Sequence, residues 1–171
     1  MARFAKLSVF TFAMLGAAAT GASAQSANIN VTANVYQALT VNGANNLAFG
    51  NVFPGVNKTV AVGDAAAGRF DITGQTGATV SLNFTLPNSG NYILGPSSAQ
   101  LPLNSWSSCW NTSNTGGSGC TSFTTASGTS AAAFGAGTTL FVFLGATAAP
   151  AAGQTAGSYT GQVTLTVAYV N

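Results

Sequence analysis

Histidine is absent from this 171-residue sequence, and charged residues make up only 4% of it. Beyond residue 24, two basic and two acidic side chains remain, so that part of the chain has no net charge. They are Lys58, Arg69, Asp64 and Asp71. Nucleic acids and anionic membrane surfaces are bound through clusters of Lys and Arg, so this composition excludes both as partners. A surface without net charge also lacks the self-repulsion that keeps copies of a protein apart.

The side chains that most enzymes use for catalysis are also scarce. Without histidine a serine nucleophile lacks its usual base, and Lys58 is the one lysine beyond residue 24 that would replace it. A glycosidase needs two converging carboxylates, whereas Asp64 and Asp71 fall beside turn-forming glycines or on the polar face of a strand. The glycines lie in β-turn contexts, unlike those of a phosphate-binding loop between a strand and a helix. We predict that the protein is not an enzyme and uses no metal or small-molecule cofactor.

The N-terminus has the three parts of a secretory signal peptide. Arg3 and Lys6 form the basic part, residues 7–19 are apolar, and small residues at 22–24 precede Gln25. The apolar part is too short to span a bilayer, and no basic cluster follows that would retain it as a membrane anchor, which is the alternative. We predict that the signal peptide, residues 1–24, is removed during secretion.

Two cysteines are present, Cys109 and Cys120. In a secreted chain an even number of nearby cysteines predicts a disulfide, which here would close a loop rich in Gly, Ser and Asn. The alternative is a pair of free thiols, although their separation differs from the CxxC spacing of redox sites. With the cysteines bridged, the sequence offers neither Cys nor His as a metal ligand.

What the sequence does contain is strand-like alternation of apolar and polar residues, with no amphipathic helix after the signal peptide. Residues 69–86 hold two alternating runs around a Gly-rich turn, which predicts a hairpin. Residues 138–148 are apolar on both faces, which predicts a central strand. Residues 88–138 lack a clear period and are predicted to form long loops with short strands. We predict an all-β, Greek-key sandwich of six or seven strands.

The mature chain begins with an unusually long alternating run, "NINVTANVYQALTV", at residues 28–41. Strands rarely exceed about 10 residues, so the run is too long for one ordinary strand. We therefore expect residues 25–35, the donor segment, to leave their own sheet and add a strand to the sheet of a neighbour. Their alternate side chains would fill the neighbour's core; these are Ile29, Val31, Ala33 and Val35. Because the giving and receiving surfaces differ, such contacts join subunits head to tail in an open fibre.

Four segments carry a resemblance to a known family. In chain order they are "LAFGNVFPG", "GRFDITGQTGATVSLNFTLP", "LFVFLGATAAPAAGQTAGSYTG" and the terminal "QVTLTVAYVN". Over most of residues 36–171 the sequence resembles a secreted bacterial domain of unknown function that is related to spore coat protein U and to archaic chaperone-usher pilins. The chain departs from the archaic pilin pattern in having no cysteine near its first strand.

The resemblance implies an immunoglobulin-like sandwich, over residues 36–171, that lacks one strand. A periplasmic chaperone would hold this subunit, an outer-membrane usher would assemble it, and the N-terminal strand of the next subunit would complete it. The resemblance also implies that the C-terminal strand edges the receiving groove through Val163, Leu165, Val167 and Tyr169. The expected product is an extracellular filament on the bacterial surface, made of copies of this chain.

Two other functions remain open at this point. In the first, the donor segment folds back and completes its own sandwich, which gives a monomeric cell-surface or coat protein. In the second, Trp106 and Trp110, which flank Cys109, contact a sugar, as in a carbohydrate-binding adhesin. The two tryptophans are also typical of local core beneath the disulfide loop.

Overall fold

The computed structural model describes residues 25–125 and 130–170. By its internal contacts the chain divides into a leading part, of which residues 25–34 are described, and a domain that begins at Val35. The predicted signal peptide lies outside the described residues. Within the described ranges, no helix is long and apolar enough to cross a membrane.

The described residues of the leading part are exposed to solvent. Residues 25–34 belong to no strand, and all of their side chains are exposed. Within the alternating run at residues 28–41, the first described strand of the chain begins at Thr40. The expected insertion of residues 25–35 into a neighbour's sheet stays a prediction.

The described residues form ten strands and two short 3₁₀ turns, against the six or seven strands that we predicted. The strands are β1 (Thr40–Asn45), β2 (Lys58–Val60), β3 (Gly68–Thr73), β4 (Thr79–Thr85), β5 (Tyr92–Leu94), β6 (Gln100–Asn111), β7 (Thr121–Phe123), β8 (Ser130–Ala133), β9 (Thr139–Ala148) and β10 (Thr164–Tyr169). The 3₁₀ turns cover Pro87–Gly90 and Pro96–Ser98.

These strands form two antiparallel sheets in a sandwich-like arrangement, which confirms the all-β prediction. The seven-stranded sheet has the order β1-β3-β9-β6-β5, with β2 paired to β9 and β7 paired to β6. The three-stranded sheet has the order β10-β4-β8. Strand β9 is central and buried along most of its length, as its two apolar faces predicted. The main core draws side chains from both sheets; its buried members are Ile72, Val80, Leu82, Phe84, Ala132, Phe134, Leu140, Val142, Leu144 and Leu165.

The predicted hairpin over residues 69–86 is wrong. Both strands exist, but β3 pairs with β1 and β9 whereas β4 pairs with β8 and β10, so the turn between them crosses from one sheet to the other. Gly74 begins this crossing, and a Cβ there would lie 2.8 Å from Leu39, Phe134 and Tyr169 side chains. Alternation shows which face of a strand is buried. It does not show whether the next strand is hydrogen-bonded to it in the same sheet or lies across the core in the other sheet.

The longest strand, β6, lies in a region where we predicted mainly loops. Its twelve residues pair with β5, β7 and β9. The pairing with β9 contains a bulge at which Ser105 and Trp106 oppose Ala146 alone. Ser105 has a φ of 49°, in the left-handed region. Because a bulge inserts an extra residue and changes which face each later side chain occupies, it hides the alternation on which the prediction depended.

The predicted disulfide is present. Cys109, in β6, is bonded to Cys120, with a Cα–Cα distance of 5.6 Å. The loop that it closes packs against the chain after β2, where a Cβ on Gly116 would overlap the Val62 carbonyl oxygen. The cross-link therefore fixes a loop whose backbone is in direct contact with a neighbouring loop.

We predict that Gly74→Ala destabilises the domain by about 1–3 kcal/mol, because the added methyl overpacks a buried crossing. Chemical unfolding of the purified chain measures this change. Gly153→Ala is the matched control, since Gly153 is exposed and a Cβ there meets no atom within 4 Å. Equal stability of the two variants would contradict the close packing of the crossing.

Reduction of the Cys109–Cys120 bond should lower the free energy of unfolding by about 3 kcal/mol, the chain-entropy value for a short loop. Thermal unfolding with and without reductant measures the loss. In the double variant C109A/C120A the reductant should have no effect, because the chain contains no other cysteine. An unchanged midpoint for the natural chain on reduction would contradict the prediction.

Candidate functional site

A groove of about 1110 Å³ opens in the domain. Residues 45–54, which run on from the last residue of β1, form its first wall, and residues 154–163, which precede β10, form its second wall. Leu101, Leu103 and Trp106 of the seven-stranded sheet also line it. Small-molecule pockets usually measure about 300–1,000 Å³, so this groove exceeds the common range. Because none of its described lining residues is charged, the groove suits an uncharged occupant.

Hydrogen bonds hold both walls in place. In the first wall, the Asn45 side-chain amide donates to the Ala67 carbonyl at 2.7 Å. In the second wall, the Gln154 amide donates to the Tyr159 hydroxyl at 2.7 Å and to the Gln100 carbonyl at 2.9 Å. These bonds tie the walls to neighbouring parts of the domain, so the groove exists without its occupant.

The bulge in β6 presents Trp106 to the groove. The side chain is half-buried, and its indole N–H donates to the Gly90 carbonyl at 2.7 Å. Gly90 has a φ of 83°, and a Cβ there would lie only 3.2 Å from the indole nitrogen. Bulges commonly re-aim a side chain beside a functional site. Here the bulge and the hydrogen bond together hold the largest side chain of the lining in a fixed position.

Strand β10 is an edge strand of the three-stranded sheet. Leu165 is buried, and Val167 and Tyr169 are half-buried, so alternate residues face the core as the sequence predicted. Val163, immediately before the strand, lines the groove. The four residues that the resemblance assigned to a groove-edging strand thus share one face, with Val163 at the groove itself.

The start of the domain is fastened to the end of β10 through Tyr169. Its ring stacks on Tyr36 with a centroid separation of 4.7 Å. Its hydroxyl donates to the Gln37 carbonyl at 2.7 Å and accepts from the Gln75 backbone N–H at 2.8 Å. The donor segment therefore ends beside the last residue of β10.

The predicted donor residues are highly exposed. The side chains of Ile29, Val31 and Val35 are 86%, 88% and 91% exposed, and Ala33 is exposed as well. A folded chain seldom leaves several aliphatic side chains in one segment so open to water, and such apolar exposure marks interaction sites.

The other residues singled out in the sequence have local partners. Trp110 is half-buried and packs on the main core, as Trp106 does. Asp71 pairs with Arg69 at 2.8 Å, and Asp64 accepts the Ala61 backbone N–H at 2.8 Å. Among the described residues, no group of three or more His, Cys, Asp or Glu side chains is placed to hold a metal ion.

Residues 39–169 match the family model of DUF4402, a domain of unknown function. The chain belongs to this family. The DUF4402 match includes all ten strands and both walls of the groove, whereas the donor segment lies outside it. No curated protein matches the chain.

Sequence reasoning missed most of the groove of this DUF4402 domain. The first wall contains Leu47, Phe49 and Val52, whose apolar character was visible but whose irregular spacing fits no strand. In the second wall, Tyr159 was visible as an aromatic residue within a Gly-rich stretch. Nothing in the sequence indicated the bulge that brings Trp106 between them.

We predict that Tyr169→Phe destabilises the domain by about 1–2 kcal/mol, because the Gln75 N–H and the Gln37 carbonyl both lose a partner. Chemical unfolding measures the change. Tyr36→Phe is the control, since it removes a hydroxyl from the same stacked pair but keeps the ring, and should stay within about 0.5 kcal/mol of the natural chain. A Tyr169→Phe chain as stable as this control would contradict the role given to the hydroxyl.

Proposed function

We propose that this chain is a structural subunit of an extracellular bacterial filament, in which the donor segment of one copy fills the groove of the next. The observation that carries the proposal is the presence, in one chain, of an open groove without charged lining, which reaches Val163 just before the edge strand β10, and of an exposed segment with alternating apolar residues. An added strand gains main-chain hydrogen bonds, and its alternate side chains fill the core.

The difference in size between the two sheets supports this proposal. Three strands face a sheet of seven, so the smaller sheet leaves part of the larger one to be covered by loops. The groove lies at this place, where a second core cluster of Leu101, Leu103 and Ala148 sits beneath Phe49 and Tyr159. A further strand beside β10 would extend the smaller sheet towards this region.

The chemistry of the donor segment suits the groove. No side chain of the segment or of the described lining is charged, so insertion would bury no charged side chain. The eleven residues span up to about 36 Å when extended, whereas the six residues of β10 span about 20 Å. The segment is therefore long enough to lie along an edge strand and to reach beyond it.

The position of Tyr36 favours a neighbour over self-completion. Tyr36 lies against the end of β10 at Tyr169, whereas the groove is lined by Val163 before the start of that strand. A donor segment that folded back would use residues 29–35 to cover the intervening 20 Å or so. It would then bring residues 25–28, three of which are polar, to the groove in place of the aliphatic residues. A neighbour's segment has no such tether and is free to insert residues 29–35.

The resemblance to archaic chaperone-usher pilins agrees with this function. It adds a route of assembly in which a periplasmic chaperone protects the open groove and an outer-membrane usher delivers the subunit to the cell surface. The predicted signal peptide and the disulfide are consistent with export through an oxidising compartment. Spore coat protein U, the other relative in the resemblance, corresponds to the alternative of a self-completed coat protein.

We predict that Val31→Asp in the mature chain, residues 25–171, reduces polymer formation at least about 100-fold, because insertion would bury an unpaired carboxylate in an apolar groove. Thr32→Asp is the matched control, since it adds the same charge to the adjacent residue, which faces the opposite side of the strand. Size-exclusion chromatography and electron microscopy of the assembled material measure the polymer.

Three results are distinguishable. Polymer from Thr32→Asp but not from Val31→Asp supports the filament. Equal polymer from both variants contradicts it. A natural chain that stays monomeric, with Val31→Asp lowering its unfolding midpoint more than Thr32→Asp does, would replace the filament by the self-completed monomer.

A further inference from the structure

The donor segment has a repetitive pattern that leaves its position in a groove poorly defined. A slip of one residue is excluded, because it would turn Asn and Thr side chains inward. A slip of two residues keeps the apolar face inward and replaces one aliphatic side chain by another. Something in the groove must therefore distinguish Ile29, Val31, Ala33 and Val35 from one another if copies are to join in one register.

Ala33 is the distinctive member of this set. Among Ile29, Val31, Ala33 and Val35 it is the only one with larger members of the set on both sides, Val31 and Val35. A groove that is shallow at one point and deeper on either side would accept the segment in a single position. Val31 or Val35 at the shallow point would be overpacked, and Ala33 at a deep point would leave a cavity.

Trp106, the largest side chain that lines the groove, is the candidate for such a point. Among the described residues, Trp106 is the only half-buried side chain that packs against both core clusters. The lining near the main core includes Leu47, Phe70 and Val163, and the lining near the second cluster includes Phe49 and Ile93. The indole therefore lies between the two ends of the groove.

The indole is also unable to move aside easily. Its N–H is bonded to the Gly90 carbonyl, and the left-handed Ser105 before it fixes the bulge. Such strained backbone positions concentrate at functional sites, where the surrounding structure holds them. A rigid, large side chain in the middle of the groove requires a small side chain opposite it.

Resting on the function proposed above, we infer that Ala33 of a neighbouring copy lies on the indole of Trp106 and that this pairing sets the register of assembly. Val31 and Val35 then occupy the deeper parts of the groove on either side. The partner is a second copy of this chain, and the pairing of the smallest donor residue with the largest groove residue is the specificity determinant.

The test uses Ala33→Leu in the mature chain. The added side chain would overpack the indole in the proposed register, so we expect the rate of polymer formation to fall about tenfold or more. Ala27→Leu is the matched control, because it is the same substitution in the same segment, ahead of the inserted residues, and it should assemble within about twofold of the natural chain. Light scattering measures the rate.

A compensating substitution provides the second measurement. Trp106→Leu makes room opposite residue 33, so Ala33→Leu/Trp106→Leu should assemble faster than Ala33→Leu alone. If the double variant fails to fold, the comparison of Ala33→Leu with Ala27→Leu still tests the proposed register. Both residues lie in the exposed segment, so neither single substitution disturbs the folded domain. Equal assembly by these two variants, or a folded double variant without any recovery, would overturn the register.

Failure of this inference differs from failure of the filament. If Val31→Asp blocks assembly but Ala33→Leu does not, the donor segment enters the groove in another register and only the pairing with Trp106 is lost. If Val31→Asp, Ala33→Leu and the natural chain all assemble alike, the donor segment is not inserted and both proposals fail.

Discussion

The unequal size of the two sheets is the constraint on which the rest of this structure depends. A sandwich is stable when each sheet covers the apolar face of the other, and here three strands face seven. The loops before and after the strands therefore turn inward, as residues 45–54 and 154–163 do along the groove. The hydrogen bonds of Asn45 to Ala67 and of Gln154 to Gln100 tie these loops to neighbouring parts of the domain.

The sequence predicted those features that depend on one strand at a time. The alternation of Leu165, Val167 and Tyr169, the two apolar faces of β9, and the pairing of Cys109 with Cys120 follow from local pattern and spacing, and the structure confirms them. Features that depend on which strands are neighbours were not predictable. The crossing at Gly74 resembles a hairpin turn in sequence, because a Gly-rich turn serves both connections.

The site was predictable only in part for the same reason. Apolar residues of the groove come from loops and from a bulge, and neither has the two-residue period that marks a strand. The single-chain structure likewise contains no strand at residues 28–39, although their pattern is that of a strand. The sequence pattern of this segment is that of a strand, but in its own chain the segment is in no sheet. Such disagreements between local sequence and structure are expected at functional sites.

The near absence of charge has a consequence for how this protein responds to its surroundings. No side chain of the described groove lining or of the donor segment is charged. Screening of charges by dissolved salt therefore has little effect on this contact. Burial of apolar surface instead weakens on cooling and strengthens with salts that are excluded from protein surfaces. If copies associate through the groove as proposed, their association would be governed by temperature and by the type of salt, and much less by ionic strength.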